Sequence, residues 1–151
     1  MTEPLASRMD KALSRLNGLY YHWCQVNGRN EYFVRILCAL YHEPELTQKE
    51  LSDKYLVPRQ TVNNAVQLLK REGYITLSQD PKDKRWKRMR FTEEGLVYAR
   101  KELAPMLALD EYVLDRFGAD RFGHLADLLF AYGDLVEEGM KEEKLMDRRD
   151  V

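Results

Sequence analysis

The chain has 151 residues, of which 44% are hydrophobic and 32% charged, and a net charge of −1. This length suits one compact domain with some extra helices and is too short for a multidomain enzyme. The longest apolar run, residues 36–41, falls far below the ~18 residues of a membrane span, and residues 1–15 lack the apolar core of a signal peptide, so a cytoplasmic protein is expected. Two cysteines, Cys24 and Cys38, and three scattered histidines offer neither a disulfide framework nor a metal-ligand cluster, so no cofactor or metal is expected.

From residue 5 to 23, apolar side chains recur at Leu5, Met9, Leu13, Leu16, Leu19, Tyr20 and Trp23, which predicts an amphipathic helix ended by Asn27, Gly28 and Asn30. A second, buried helix is predicted over residues 32–42, with Phe33, Ile36, Leu37 and Leu40 in register and Pro44 stopping it. Thr47 followed by Glu50 reads as a capping box that opens a third helix, carrying Leu51 and Tyr55 inward and running out near residue 56. Pro58 suits the first turn of a fourth helix, which Gly73 ends.

The fourth helix buries Val62, Ala65, Val66 and Leu69 and exposes Arg59, Gln60, Thr61, Asn63, Asn64, Gln67, Lys70 and Arg71. Two adjacent asparagines in mid-helix are poor helix formers, so solubility alone does not account for them. They mark a face that hydrogen-bonds a partner.

After Gly73 the period changes to two, with Ile75 and Leu77, then Met89 and Phe91, alternating with polar residues. Two strands flank a loop opened by the turn pair Asp80 and Pro81. A further helix starts at Thr92, favoured by Glu93 and Glu94 at its positive end, and Pro105 is expected to kink or break it. The last helix shows Phe122, Leu125, Leu129, Tyr132, Val136 and Met140 at helical spacing, with a frayed end expected over residues 142–151.

Charge is distributed unevenly along this order. Residues 45–91 carry eleven Lys and Arg against six Asp and Glu, whereas residues 92–151 carry eight against fifteen. The strand loop is the most basic stretch: Lys82, Lys84, Arg85, Lys87, Arg88 and Arg90 face only Asp80 and Asp83.

A capped helix, a short turn, a second helix with a polar face and a hairpin with a basic loop compose a winged helix-turn-helix. The fold class is therefore mainly α with a small β-hairpin wing. At this point the sequence resembles the MarR family of bacterial transcriptional regulators. The resemblance is strongest over residues 46–95, and its most specific part is Asp80, Pro81, Lys82, Asp83, Lys84 and Arg85, followed by Phe91, Thr92, Glu93, Glu94 and Gly95. Pro58, Trp86 and Phe91 depart from the family pattern, which usually has a serine, a small residue and a leucine there.

The resemblance implies a homodimer with entwined first and last helices, so residues 1–30 and 105–151 are expected to dimerise and residues 31–104 to bind double-stranded DNA. Arg59, Gln60, Thr61, Asn63, Asn64 and Gln67 then face the major groove, where Asn and Gln suit adenine and Arg suits guanine. Arg85 is implied to enter the minor groove with Asp83 orienting it, and Lys82, Lys84 and Arg88 to neutralise phosphates. Trp86 either lies on the sugar-phosphate backbone or shields the hairpin. A small phenolic or anionic effector is implied near Tyr20, His22, Trp23 and Tyr32, for which aromatic packing is the competing reading, and Cys24 is a candidate oxidant sensor where Cys38 reads as packing.

The expected function is a DNA-binding transcriptional regulator, with a repressor the expected kind and no residue that tells it from an activator. The alternatives are a winged-helix module that docks on protein and a cysteine-based redox regulator. No phosphate-binding glycine loop, nucleophile elbow or zinc-protease motif occurs, so no enzyme is expected.

Overall fold

The computed structural model describes residues 3–142. Among them six helices and one hairpin follow in order: α1 (Leu5–Val26), α2 (Glu31–His42), α3 (Gln48–Tyr55), α4 (Arg59–Arg71), β1 (Ile75–Gln79), β2 (Lys87–Phe91), α5 (Glu93–Phe117) and α6 (Ala119–Glu142). The frayed end expected beyond residue 142 lies outside the described residues. The chain divides into two compact units, Met1–Lys101 and Glu102–Val151, with α5 running across the division.

The first unit builds its core from local signals. Asn30 caps α2 by accepting from the Phe33 amide at 3.0 Å, and α2 buries Val34, Ile36, Leu37, Ala39 and Leu40. Phe33, expected in that stripe, is only half-buried, and Val34 takes the inward place. Thr47 and Glu50 close both bonds of the capping box, at 3.1 and 2.8 Å, satisfying two of the amides that a helix start leaves open. Leu51 is fully buried beneath it.

Leu56, left-handed at φ 49°, turns the chain from α3 to α4. Pro58 precedes α4 as its cap instead of beginning it, and provides no side-chain bond. The stripe of Val62, Ala65, Val66 and Leu69 is buried as the spacing predicts. At the far end Gly73 (φ 74°) donates to the Lys70 carbonyl and Tyr74 to that of Leu69. This is a Schellman termination, whose left-handed residue favours glycine.

β1 and β2 pair antiparallel, with Leu77 opposite Met89 and Ser78 opposite Arg88. A third segment joins them: Glu45 donates to the Met89 carbonyl, Met89 donates to that of Leu46, and Thr47 bridges Arg88. The wing is thereby hydrogen-bonded to the chain that leads into α3. Thr92 then caps α5, its hydroxyl accepting from the Gly95 amide and donating to the Gly73 carbonyl. A Cβ on Gly95 would sit 1.8 Å from the Tyr74 carbonyl oxygen, so alanine's usual helix advantage of ~1 kcal/mol is overridden by a collision with main chain.

The expected break at Pro105 does not occur, because α5 continues through it. Proline in a helix interior costs one hydrogen bond and a ring clash. Leu103 and Met106 on either side are 0% and 7% exposed, and only unbroken helix gives them the three-residue spacing that buries both. α6 differs from all of these in burying no residue of its own. Phe122, Leu125, Leu128, Tyr132, Leu135 and Val136 stand exposed along it. α1 buries only Cys24.

Candidate nucleic-acid interface

The exposed face of α4 presents Arg59, Gln60, Asn64 and Gln67 to solvent, with Thr61 and Asn63 half-buried beside them. Gln60 donates from Nε2 to Asn64 Oδ1 at 2.8 Å. Each amide keeps one further group able to read a base edge, and the bond orders both side chains on one helical face. With no side-chain cap on Pro58 and no acidic residue in the first turn, the amides of Arg59, Gln60 and Thr61 are open donors at the positive helix end. Such an end next to a guanidinium suits a phosphate.

The wing loop is organised by two carboxylates. Asp83 accepts from Arg85 Nε at 3.0 Å and from its Nη2 at 2.7 Å, and also from the Arg85 amide at 3.1 Å. This fork orients a side chain that is otherwise 84% exposed, so the guanidinium stands out from the protein against a bidentate carboxylate partner. Arg85's donation holds the Asp83 carboxyl down to about 2. The folded value lies below the ordinary 3.8, so the contribution of this pair is present above that value and is lost as pH falls through about 2. The fork therefore stays intact across physiological pH.

Asp80, a turn former and the first residue of the wing motif in the sequence, is 6% exposed and takes three donors. Its Oδ1 accepts the Lys82 and Asp83 amides at 2.6 and 3.1 Å, and its Oδ2 meets Arg88 Nη2 at 2.7 Å. The Lys82 amide foremost, opposed by desolvation and helped by the Asp83 amide and Arg88, keeps the carboxyl below its ordinary range. Asp80 also donates its amide to the Trp86 carbonyl at 2.9 Å, closing the loop. Lys82 and Lys84 remain exposed on that loop, and Trp86 is half-exposed at its base.

Arg88 is placed differently from the loop lysines. Its Nη1 donates to the Glu45 carbonyl at 3.0 Å while Nη2 pairs with Asp80, and its side chain is 25% exposed. Both terminal nitrogens of its guanidinium therefore have a partner inside the protein. A residue 43 positions away cannot be found by periodicity, and the pairing has no local signal in the sequence.

The four candidate effector residues do not share one helical face. At ~100° per residue, α1 turns Tyr20 and His22 to nearly opposite sides. Tyr32, on α2, packs its ring beneath Arg35 at 5.6 Å. Cys24, the sensor candidate, is 2% exposed, and burial first, then the Glu31 charge, pushes its thiol up against the pull of Arg29 and Arg35. A raised thiol is less often thiolate and reacts less with oxidants. Cys38, read as packing, is the more exposed of the two. Among the described residues no group of three or more His, Cys, Asp or Glu is placed to hold a metal, and no helix is long and apolar enough to cross a membrane.

Residues 34–85, from α2 to the wing loop, match the model of the MarR family. Over these residues, from α2 through the helix-turn-helix to the wing loop, the chain is similar to the MarR family. Its fold is similar to that of a MarR family regulator from Neisseria meningitidis, at 23% identity and TM-score 0.78 over 93% of this chain and 99% of the other. It is likewise similar to the transcriptional regulator PcaV of Streptomyces coelicolor, solved with its natural ligand (25% identity, TM-score 0.62, 89% of this chain and 97% of the other). Streptococcus pneumoniae FabT, solved in complex with DNA, is 18% identical with a TM-score of 0.57 over 88% of this chain and 98% of that one. No curated protein sequence matches the chain. In this MarR-like frame, α3 and α4 are the helix-turn-helix and the β1–β2 hairpin is the wing.

Proposed function

We propose that the protein is a homodimeric transcriptional regulator that binds a two-fold symmetric operator, with α4 in the major groove and the wing in the minor groove. The observation that carries this reading is the exposed guanidinium of Arg85 fixed by Asp83 at the tip of a basic loop. A narrow minor groove concentrates negative potential and attracts an arginine presented in this way. Gln60, Asn63, Asn64 and Gln67 supply base readout, and Arg59, Thr61, Lys82 and Lys84 supply phosphate contacts.

The dimer rests on exposed apolar surface. Leu128, Phe130 and Leu135 of α6 are 54%, 76% and 66% exposed, and Leu16, Leu19 and Tyr21 of α1 are exposed as well. Two long helices with unpartnered apolar faces fit a second copy of the chain better than they fit water. A two-fold dimer would set two α4 helices ~34 Å apart, one turn of duplex. The ligand-bound PcaV structure supports binding of a small molecule, for which the geometry of α1 singles out no one set of residues.

Docking on a protein would need no such charge, and salt dependence separates the two readings. Neutralising about six to ten phosphates predicts that log affinity for DNA falls against log salt with a slope of roughly −5 to −9. A gel-shift titration between 50 and 200 mM salt, about the range over which such a slope becomes unmistakable, measures it. A flat dependence, or no binding at the lowest salt, contradicts the proposal.

A further inference from the structure

Three features of the wing come together around one side chain. Arg88 lies on β2 next to Met89, which is fully buried and bonded to Glu45 and Leu46 through its main chain. From this anchored strand its guanidinium spans to the Glu45 carbonyl on one side and the Asp80 carboxylate on the other. Asp80 in turn holds the amides of Lys82 and Asp83, and the Asp83 carboxylate holds Arg85. Glu45 is itself held in a left-handed conformation at φ 75°, a backbone state that costs a residue with a Cβ. That conformation is fixed immediately before the α3 capping box, at the entrance to the helix-turn-helix.

We propose that Arg88 and Asp80 are positioning residues for DNA binding: together with the Glu45 carbonyl they clamp the wing loop to the entrance of α3 and so set where Arg85 is presented, while neither touches DNA. The inference deepens the DNA-binding reading and rests on it. Its physical basis is that a planar guanidinium can satisfy two acceptors at fixed angles, whereas a lysine ammonium is a point charge on a flexible stem. Without the clamp, the loop keeps its basic charge and its Asp83–Arg85 fork but loses its fixed distance from α4. The two contacts would then no longer reach their grooves together.

Two substitutions distinguish this clamp from direct phosphate contact. Arg88→Lys keeps the positive charge, so a phosphate ligand would be nearly preserved, while a clamp would be lost. Asp80→Asn removes a negative charge beside the DNA, and simple electrostatics predicts tighter binding. The clamp predicts instead that each variant binds a duplex selected by the wild-type protein about tenfold more weakly, with an unchanged salt slope. In the DNA-free Asp80→Asn protein, the amides of Lys82 and Asp83 should exchange hydrogen faster than in wild type. Circular dichroism and oligomer mass should match wild type in both variants, and Arg88→Lys decides alone if Asp80→Asn does not fold. Wild-type affinity in Arg88→Lys, or wild-type or tighter binding in Asp80→Asn, overturns the clamp while leaving the DNA reading standing. A wild-type protein that ignores duplex DNA at low salt overturns the DNA reading first.

Discussion

Replacing Leu125 and Val136 together with glutamate should convert the protein from a dimer to a monomer at micromolar concentration and cut its affinity for a full operator about a hundredfold or more. Both side chains are exposed on α6, at 42% and 38%, and α6 buries none of its residues within the chain. The protomer's own fold therefore loses little, and circular dichroism should be unchanged. In a dimer the same positions would place unpaired carboxylates in an apolar interface, on a helix that already carries Asp120, Asp127, Asp134, Glu137 and Glu138, at a cost of several kcal/mol. A monomer holds a single half-site, and losing the linked second contact is worth about 10²–10⁴ in affinity. Light scattering measures the mass and a gel shift the affinity. A persistent dimer would place the interface elsewhere than on this face of α6.

Arg85→Ala should weaken operator binding by about 1–3 kcal/mol, roughly five- to 150-fold, while leaving the dimer intact. The residue is 84% exposed at its side chain and bonds only the loop that carries it, so its removal costs the free protein little. Arg85→Lys should recover only part of the loss, because an ammonium cannot fill a narrow groove while pairing both oxygens of Asp83 as the planar fork does. Footprinting should show protection lost in the minor groove at the outer edges of the site and kept in the major groove beneath α4. Equal affinities for Arg85→Ala and wild type would remove the wing from the account.

The parts of this fold that could be read from the sequence are those whose causes lie within one turn of chain. The capping box of Thr47 and Glu50, the buried stripe of α4 and the Schellman end at Gly73 all arise from residues three to five apart. The start of α4 was displaced by one position, since the fixed φ of Pro58 suits a cap as well as a first turn. The break expected at Pro105 does not occur, since α5 runs through it with Leu103 and Met106 buried on either side, a burial that no local pattern signals. Val34 replaced Phe33 in the core of α2 because the two differ by one helical step and both are apolar.

The candidate site divides along the same line. The outward face of α4 is local and could be anticipated from the residues themselves, and the Asp83–Arg85 pair, also local, is what the family resemblance implies. The use of Arg88 could not, because its partners lie 8 and 43 positions away and one of them is a main-chain carbonyl. Asp80 looked like a turn residue and is also the buried acceptor on which the loop closes. The family resemblance grouped Arg88 with the loop lysines, and only the register of β2 against Glu45, Leu46 and Thr47 separates it from them.

On the proposed reading, two copies of the chain present two α4 helices and two wings at a separation matching successive turns of a duplex. Selection of bound fragments from a random duplex pool with the purified protein tests it most directly. The expected product is an inverted repeat whose half-sites are centred about 10 base pairs apart, with A·T-rich flanks under the wings. Enrichment of a single unpaired half-site, or of no sequence at all, would contradict it.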